Sequence, residues 1–216
     1  MQMEQDSIAR DRSFLAGQLS QAPDTDSVAH FKPGPGIERL ALTFDIERLR
    51  AAYDEAKDKV EFQGVGIHAL PLTRRPGDAT VTANDMSGRY YLRPDDNYVE
   101  VAREDPVDEA AFTQFAPELK GSYFEEVHRE LTARFTIGRM RVLAKDPFSC
   151  NSWHRDPEPR LHIPIVTNPG SLFIVNHHVT HLPADGSVYF TDTRGYHTAL
   201  NGGDYPRVHI VAALPN

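Results

Sequence analysis

His154 and Asp156 stand two residues apart, just ahead of the apolar stretch Leu161-His162-Ile163-Pro164-Ile165-Val166. In extended backbone, residues i and i+2 point to the same side, so the pair can offer an imidazole nitrogen and a carboxylate oxygen to one ion. A third ligand must come from elsewhere, and the best placed is His197, in RGYHTALNGGDYPRVHIV, with Arg207 ten residues beyond it at the head of another apolar run. Two histidines and one carboxylate grouped on one side of a divalent ion leave its other positions open to small molecules. Such ligands suit Fe(II), and Mn, Co and Ni as well. On its own, a His-x-Asp beside Pro157 and Pro159 reads better as a solvated loop; His197 and Arg207 in their places favour the ion.

The ordered set carries a resemblance. His154-x-Asp156, the distal His197 and Arg207 resemble the Fe(II)/2-oxoglutarate-dependent oxygenases. Arg160-Leu161-His162-Ile163-Pro164, Tyr196-His197-x-x-x-Asn201 and Arg207-x-His209 are similar to the aspartyl/asparaginyl β-hydroxylase branch, which also contains hydroxylases of free amino acids such as proline. The similar stretch runs over residues 139–214. The resemblance implies a double-stranded β-helix (a cupin-like jelly roll) with Fe(II) on His154, Asp156 and His197. It also implies 2-oxoglutarate as co-substrate, its far carboxylate on Arg207 and its binding assisted by Arg160 and His162. The implied reaction uses O₂ to hydroxylate an unactivated C–H of an amino acid or peptidyl residue and releases succinate and CO₂; related chemistry desaturates or cyclises. One departure matters. The hydroxylases that give the branch its name lack the carboxylate ligand, and Asp156 moves the expectation toward relatives with the full triad, including those acting on free amino acids. Two other readings stand beside this one: a cupin-type metalloenzyme that does not use 2-oxoglutarate, in which Arg207 grips the substrate, and a non-catalytic jelly-roll binding module.

Arg207 separates the first reading from the second, because a guanidinium can hold a carboxylate through two parallel hydrogen bonds. Arg160 and His162 share one face of their strand. His209 repeats the alternation from Arg207, either toward the same cavity or as a core histidine. Of His177, His178 and His181, at most one is expected to line a cavity. Arg139, Arg141, Arg194, Arg89 and Arg93 are candidates to grip an acidic group of the substrate. Trp153 is expected to anchor its loop and Cys150 to be a small buried residue.

The elements that position these residues can be read from periodicity. Residues 1–36 mix charge, Gln, Ser and Pro and read as a flexible arm; residues 37–216 read as one domain, with helical and strand support over 37–136 and a jelly-roll core over 137–216. IERLRAAYDEAKDKV, capped by Asp45, and SYFEEVHRELTARF, with Ser122 and Glu125 as a capping box, have helical spacing. After Gly138 come the strands RMRVLAK, LHIPIVT, SLFIVNHHV, SVYFTD, YHTAL and RVHIVAAL, bounded by turn residues, as in a mainly β sandwich or barrel. Asp185-Gly186 reads as a hairpin turn. His197 and Arg207 become neighbours either as partners in one hairpin about Gly202 or, as the resemblance implies, on opposite sheets with both side chains pointing inward.

Composition narrows the partners. A net charge of -8 disfavours nucleic acid and anionic membranes as the main partner and does not identify a substrate; a small-molecule amino acid or a peptide is the partner that the resemblance implies. One cysteine excludes an intrachain disulfide, and the N-terminus has no apolar leader, so a cytoplasmic address is expected.

Overall fold

The computed structural model describes residues 2–21, 36–62, 64, 67–86, 91–175 and 178–215. The N-terminal part carries helices α1 (Gln2–Leu19), α2 (Ile46–Lys59), the single turn α3 (Ala83–Met86) and α4 (Tyr123–Thr132). Among them run strands β1 (Ile37–Thr43), β2 (Ile67–Pro71), β3 (Thr73–Arg74), β4 (Leu92–Pro94), β5 (Glu100–Ala102) and β6 (Gln114–Phe115). The C-terminal part is strand after strand: β7 (Met140–Lys145), β8 (Ser149–Cys150), β9 (Arg160–Val166), β10 (Ser171–Val175), β11 (His178–Thr180), β12 (Ser187–Thr191), β13 (His197–Asn201) and β14 (Arg207–Ala213).

Among the described residues two antiparallel sheets dominate, six strands in the order β1-β12-β9-β14-β7-β2 and four in the order β11-β10-β13-β8. From β7 onward the strands pass back and forth between the two sheets, save for β10 and β11, which pair within the small one, and this is the jelly roll. β13 and β14 therefore lie in opposite sheets, and the simple hairpin about Gly202 does not form. The same holds for Asp185-Gly186. It joins β11 of the small sheet to β12 of the large one, and Gly186, at φ 85°, gives its carbonyl to Phe44 N–H (2.8 Å) instead of closing a hairpin.

Period-two alternation divides the large sheet into two chemically different faces. On the outer face Met140, Val142 and Ala144 of β7, Leu161, Ile163 and Ile165 of β9, and Val208, Ile210 and Ala212 of β14 pack against Leu49, Ala52 and Ala56 of α2 and Phe124, Val127 and Leu131 of α4. The inner face takes the intervening residues: Arg141, Leu143 and Lys145, then Arg160 and His162, then Arg207, His209 and Val211. Apolar burial against the helices, about 25 cal/mol per Å², thus holds a face of cations and histidines against the small sheet. A register shift between Val208 and His209 falls opposite Pro164, which has no N–H to contribute to the ladder.

Asp45 caps α2 as expected, accepting from Glu47 N (2.9 Å) and Arg48 N (3.1 Å). The capping box on α4 does not form: Ser122 Oγ donates to Leu119 O, and Glu125 accepts from Gly121 N. Residues 2–19, expected as a flexible arm, form α1. Its contact face is thin but sufficient: Phe14 meets Phe190 edge to face at 5.4 Å, Leu15 is buried, and Arg12 donates to the carbonyls of Ala133 and Arg134. No helix among the described residues is long and apolar enough to cross a membrane.

Candidate metal centre

A short antiparallel bridge brings the two histidines together. His154 N–H donates to His197 O (3.2 Å) and His197 N–H to His154 O (2.9 Å), which places the imidazole centroids 4.2 Å apart. The loop is held further by Asp156 N–H on Thr193 O (2.7 Å). Each ring donates from Nδ1 to the carbonyl two residues before it, His154 to Ser152 O (2.7 Å) and His197 to Gly195 O (3.1 Å). That bond selects the tautomer with an unprotonated Nε2 and fixes the ring plane, as is usual for metal-bound histidine. His197 Nε2 lies 3.6 Å from Asp156 Oδ2, and the ligand atoms of His154, Asp156 and His197 lie within 4.8 Å of one another. Burial, and then the neighbouring His154, lower the His197 pKa to about 3, so the ring is neutral. Two aimed Nε2 atoms, one of them on the neutral His197 ring, and an adjoining carboxylate fit a divalent ion of the Fe(II) type.

Behind Asp156 lies an ion-pair network that the sequence did not announce. Arg160 donates from Nε to Asp156 Oδ2 (3.2 Å) and from both Nη atoms to Glu109 (3.1 Å each); Arg139 holds the other side of Glu109 and also bonds Asp85 O. Burial alone would raise the Glu109 carboxyl, but Arg160, Arg139 and Arg141 overcome it and hold the pKa at about 2. Arg160 is thus placed beside the carboxylate ligand, at the opposite end of its strand from Arg207's neighbours. Removing one member of a buried charged network strands the others, at a typical cost of about 3–5 kcal/mol. Glu109→Gln is therefore expected to lose stability on that scale in urea denaturation at neutral pH. The linkage sign is that of a lowered carboxyl: the wild-type contribution is complete above 4.5 and is lost as pH falls toward about 2. The Gln variant should lack that part of the acid dependence.

The other end of the cleft is cationic. Arg207 is buried, donates from Nη2 to His209 Nδ1 (2.9 Å) and lies near the Phe173 ring. His209 Nδ1 in turn is 3.4 Å from His162 Nδ1, and burial lowers the pKa of both rings, so Arg207's partner is uncharged. No carboxylate among the described residues pairs with Arg207, whose own pKa burial lowers to about 10. The three ligand residues, Arg139, Arg141, Lys145, Arg160, His162 and Arg207 all line one cleft, with Leu143, Val211, Phe173 and Ala199 as its apolar walls.

The remaining candidates scatter. Arg194 is tied to Asp192 and Gln18 O, away from the cleft, and Arg93 sits exposed on β4. His178 and His181 are exposed, Trp153 is half-buried, and His177 and Arg89 lie outside the described residues. Cys150 is exposed rather than buried, because β8 is the edge strand of the small sheet. Sequence reading missed Glu109, Asn151, Thr193, Phe173 and Lys145. For Lys145 a signal existed: it shares the parity of Arg139 and Arg141 in RMRVLAK.

No protein-family model matches the sequence, and no curated protein does. Among solved structures the chain is similar to an oxidoreductase of the 2OG-Fe(II) oxygenase family from Burkholderia pseudomallei, at 17% identity over 82% of this chain and 83% of that one, with a TM-score of 0.45. It is also similar to a viral collagen prolyl hydroxylase from Paramecium bursaria Chlorella virus-1 (11% identity, 83% and 95% covered, TM-score 0.47). A prolyl-4-hydroxylase from Pseudomonas putida gives 12% identity, 84% and 93% coverage and a TM-score of 0.45.

Proposed function

We propose that this protein is an Fe(II)/2-oxoglutarate-dependent dioxygenase that hydroxylates an unactivated C–H bond of an amino acid, free or within a peptide. The observation that carries the reading is two buried histidines with the half-buried Asp156, and a buried guanidinium without a carboxylate partner among the described residues, in one cleft. Iron with 2-oxoglutarate and O₂ would supply the oxidation, giving a hydroxylated product, succinate and CO₂. The chain's own residues do the positioning. Ser152 O and Gly195 O keep the two imidazoles aimed, Arg160 holds Asp156 in place, and Arg207 offers a charge-assisted pair to the far carboxylate of the co-substrate. Phe173, Leu143, Val211 and Ala199 keep water from the reacting C–H. Arg141, in the same cleft, suits a substrate carboxylate, while Arg139 is committed to Glu109 and Asp85 O. Reduced iron and a lone exposed thiol suit a reducing compartment such as the cytoplasm.

The test is succinate release from 2-oxoglutarate by the Fe(II)-loaded protein, screened across free amino acids and short peptides. Substrate-stimulated succinate with an equimolar hydroxylated product is the expected result. Metal-dependent turnover indifferent to 2-oxoglutarate would favour the cupin-type reading, and failure to bind any metal the binding module. In the same assay Asp156→Ala should weaken Fe(II) binding and cut coupled product. Unchanged values for both would leave only His154 and His197 as ligands and return the search to aspartyl and asparaginyl residues in peptides.

A further inference from the structure

β7 delivers one cation to the cleft that the family resemblance does not account for. Lys145, its last residue, is the direct cross-strand partner of Arg207 on β14, and both side chains line the cleft. They are 3% and 5% exposed. Directly opposed residues in an antiparallel pair have Cβ atoms about 4.5–5.5 Å apart, and like charges there repel. Lys145 Nζ donates to Asn151 Oδ1 (2.5 Å), a neutral acceptor that uses one of the ammonium's three protons. The adjacent acid, Asp146, is occupied by His68 Nε2, at 3.0 and 3.2 Å from its two oxygens. Two buried cations thus face each other across a strand pair with no acid between them among the described residues, an arrangement that costs stability unless an anion joins them.

We propose that Lys145 is the second cation of the co-substrate site: Lys145 and Arg207 hold one and the same carboxylate, with Asn151 aiming the ammonium. The identity of that carboxylate, the far one of 2-oxoglutarate, rests on the function proposed above.

A pH signature follows. The charged and titratable groups around Lys145 are Arg207 from β14, Cys150 from β8, and Asp146 with its partner His68 from β2. Burial first, and then Arg207, lower the ammonium to about 8, while Cys150 and Asp146 act the other way. A lysine with a lowered pKa gives up its proton as pH rises through that value, so affinity for the anion is complete below about 8 and falls above it. Arginine at the same position stays charged throughout.

The experiment is calorimetric titration of 2-oxoglutarate into oxygen-free, Mn(II)-loaded wild type, Lys145→Met and Lys145→Arg, at neutral pH and at about pH 9, above the Lys145 value and below that of Arg207. The wild type should bind and lose affinity at the alkaline pH. Lys145→Met should bind about tenfold or more weakly at neutral pH, without the alkaline loss, and Lys145→Arg should bind without that loss. Without ligand, Lys145→Met should melt no lower than the wild type, because it removes a buried repulsion; a lysine with a purely structural role would make that variant melt lower. Wild-type affinity retained in Lys145→Met, or an alkaline loss retained in Lys145→Arg, would overturn the proposal. A metal-loaded wild type that binds no 2-oxoglutarate would instead overturn the proposed function.

Discussion

Alanine at either His154 or His197 is expected to abolish stable Fe(II) binding and turnover together. Each ring is buried, has its Nδ1 committed to a backbone carbonyl and supplies one of three ligand atoms through Nε2, which alanine removes outright. Two remaining ligands hold a divalent ion too weakly to survive dialysis against buffer. Metal content after anaerobic reconstitution, read beside succinate formation, checks this. Normal metal content in either variant would remove that residue from the ligand set. The paired substitution His177→Ala and His178→Ala serves as the control and should leave metal content intact, since His178 is exposed.

Arg207→Ala is expected to raise the apparent Michaelis constant for 2-oxoglutarate well over tenfold while leaving Fe(II) affinity nearly unchanged. A charge-assisted hydrogen bond to a buried group is worth about 1.5–3 kcal/mol, and the loss grows when the partner is left unpaired in a dry site. Arg207 reaches no metal ligand; its shown contacts are His209 and the Phe173 ring. The two effects should therefore separate cleanly. A variant that bound metal and co-substrate like the wild type would move Arg207 out of the co-substrate site and favour the cupin-type reading.

Much of the framework was legible because alternation is a local signal. The strands after Gly138, the helices over residues 46–60 and 122–135, and the shared side of His154 and Asp156 all follow from spacing within short windows, whereas His197 joined them through the resemblance. Other features depend on contacts distant in sequence. Glu109 sits in a one-turn helix 51 residues from Arg160, so no spacing could pair them. α1 has too few apolar residues to announce a buried face, and its order comes from Phe190, Ala133 and Arg134, far along the chain. Asp185-Gly186 has the residues of a hairpin turn, yet the carbonyl of Gly186 serves Phe44. Lys145 was missed despite a local signal. A lysine ending a strand ordinarily meets water; its parity with Arg141 pointed inward, and the cross-strand pairing with Arg207 that makes it count is a contact distant in sequence.

The most direct measurement is the affinity of the wild-type protein for 2-oxoglutarate with and without a bound divalent ion, Mn(II) replacing Fe(II) to prevent turnover. If one cleft holds both, the two ligands are coupled and each must strengthen the other by the same factor. The expected result is one-to-one binding, about tenfold or more tighter with metal, and loss of that enhancement in His197→Ala. Equal affinity with and without metal, or no binding in either case, would contradict a joint iron and 2-oxoglutarate site.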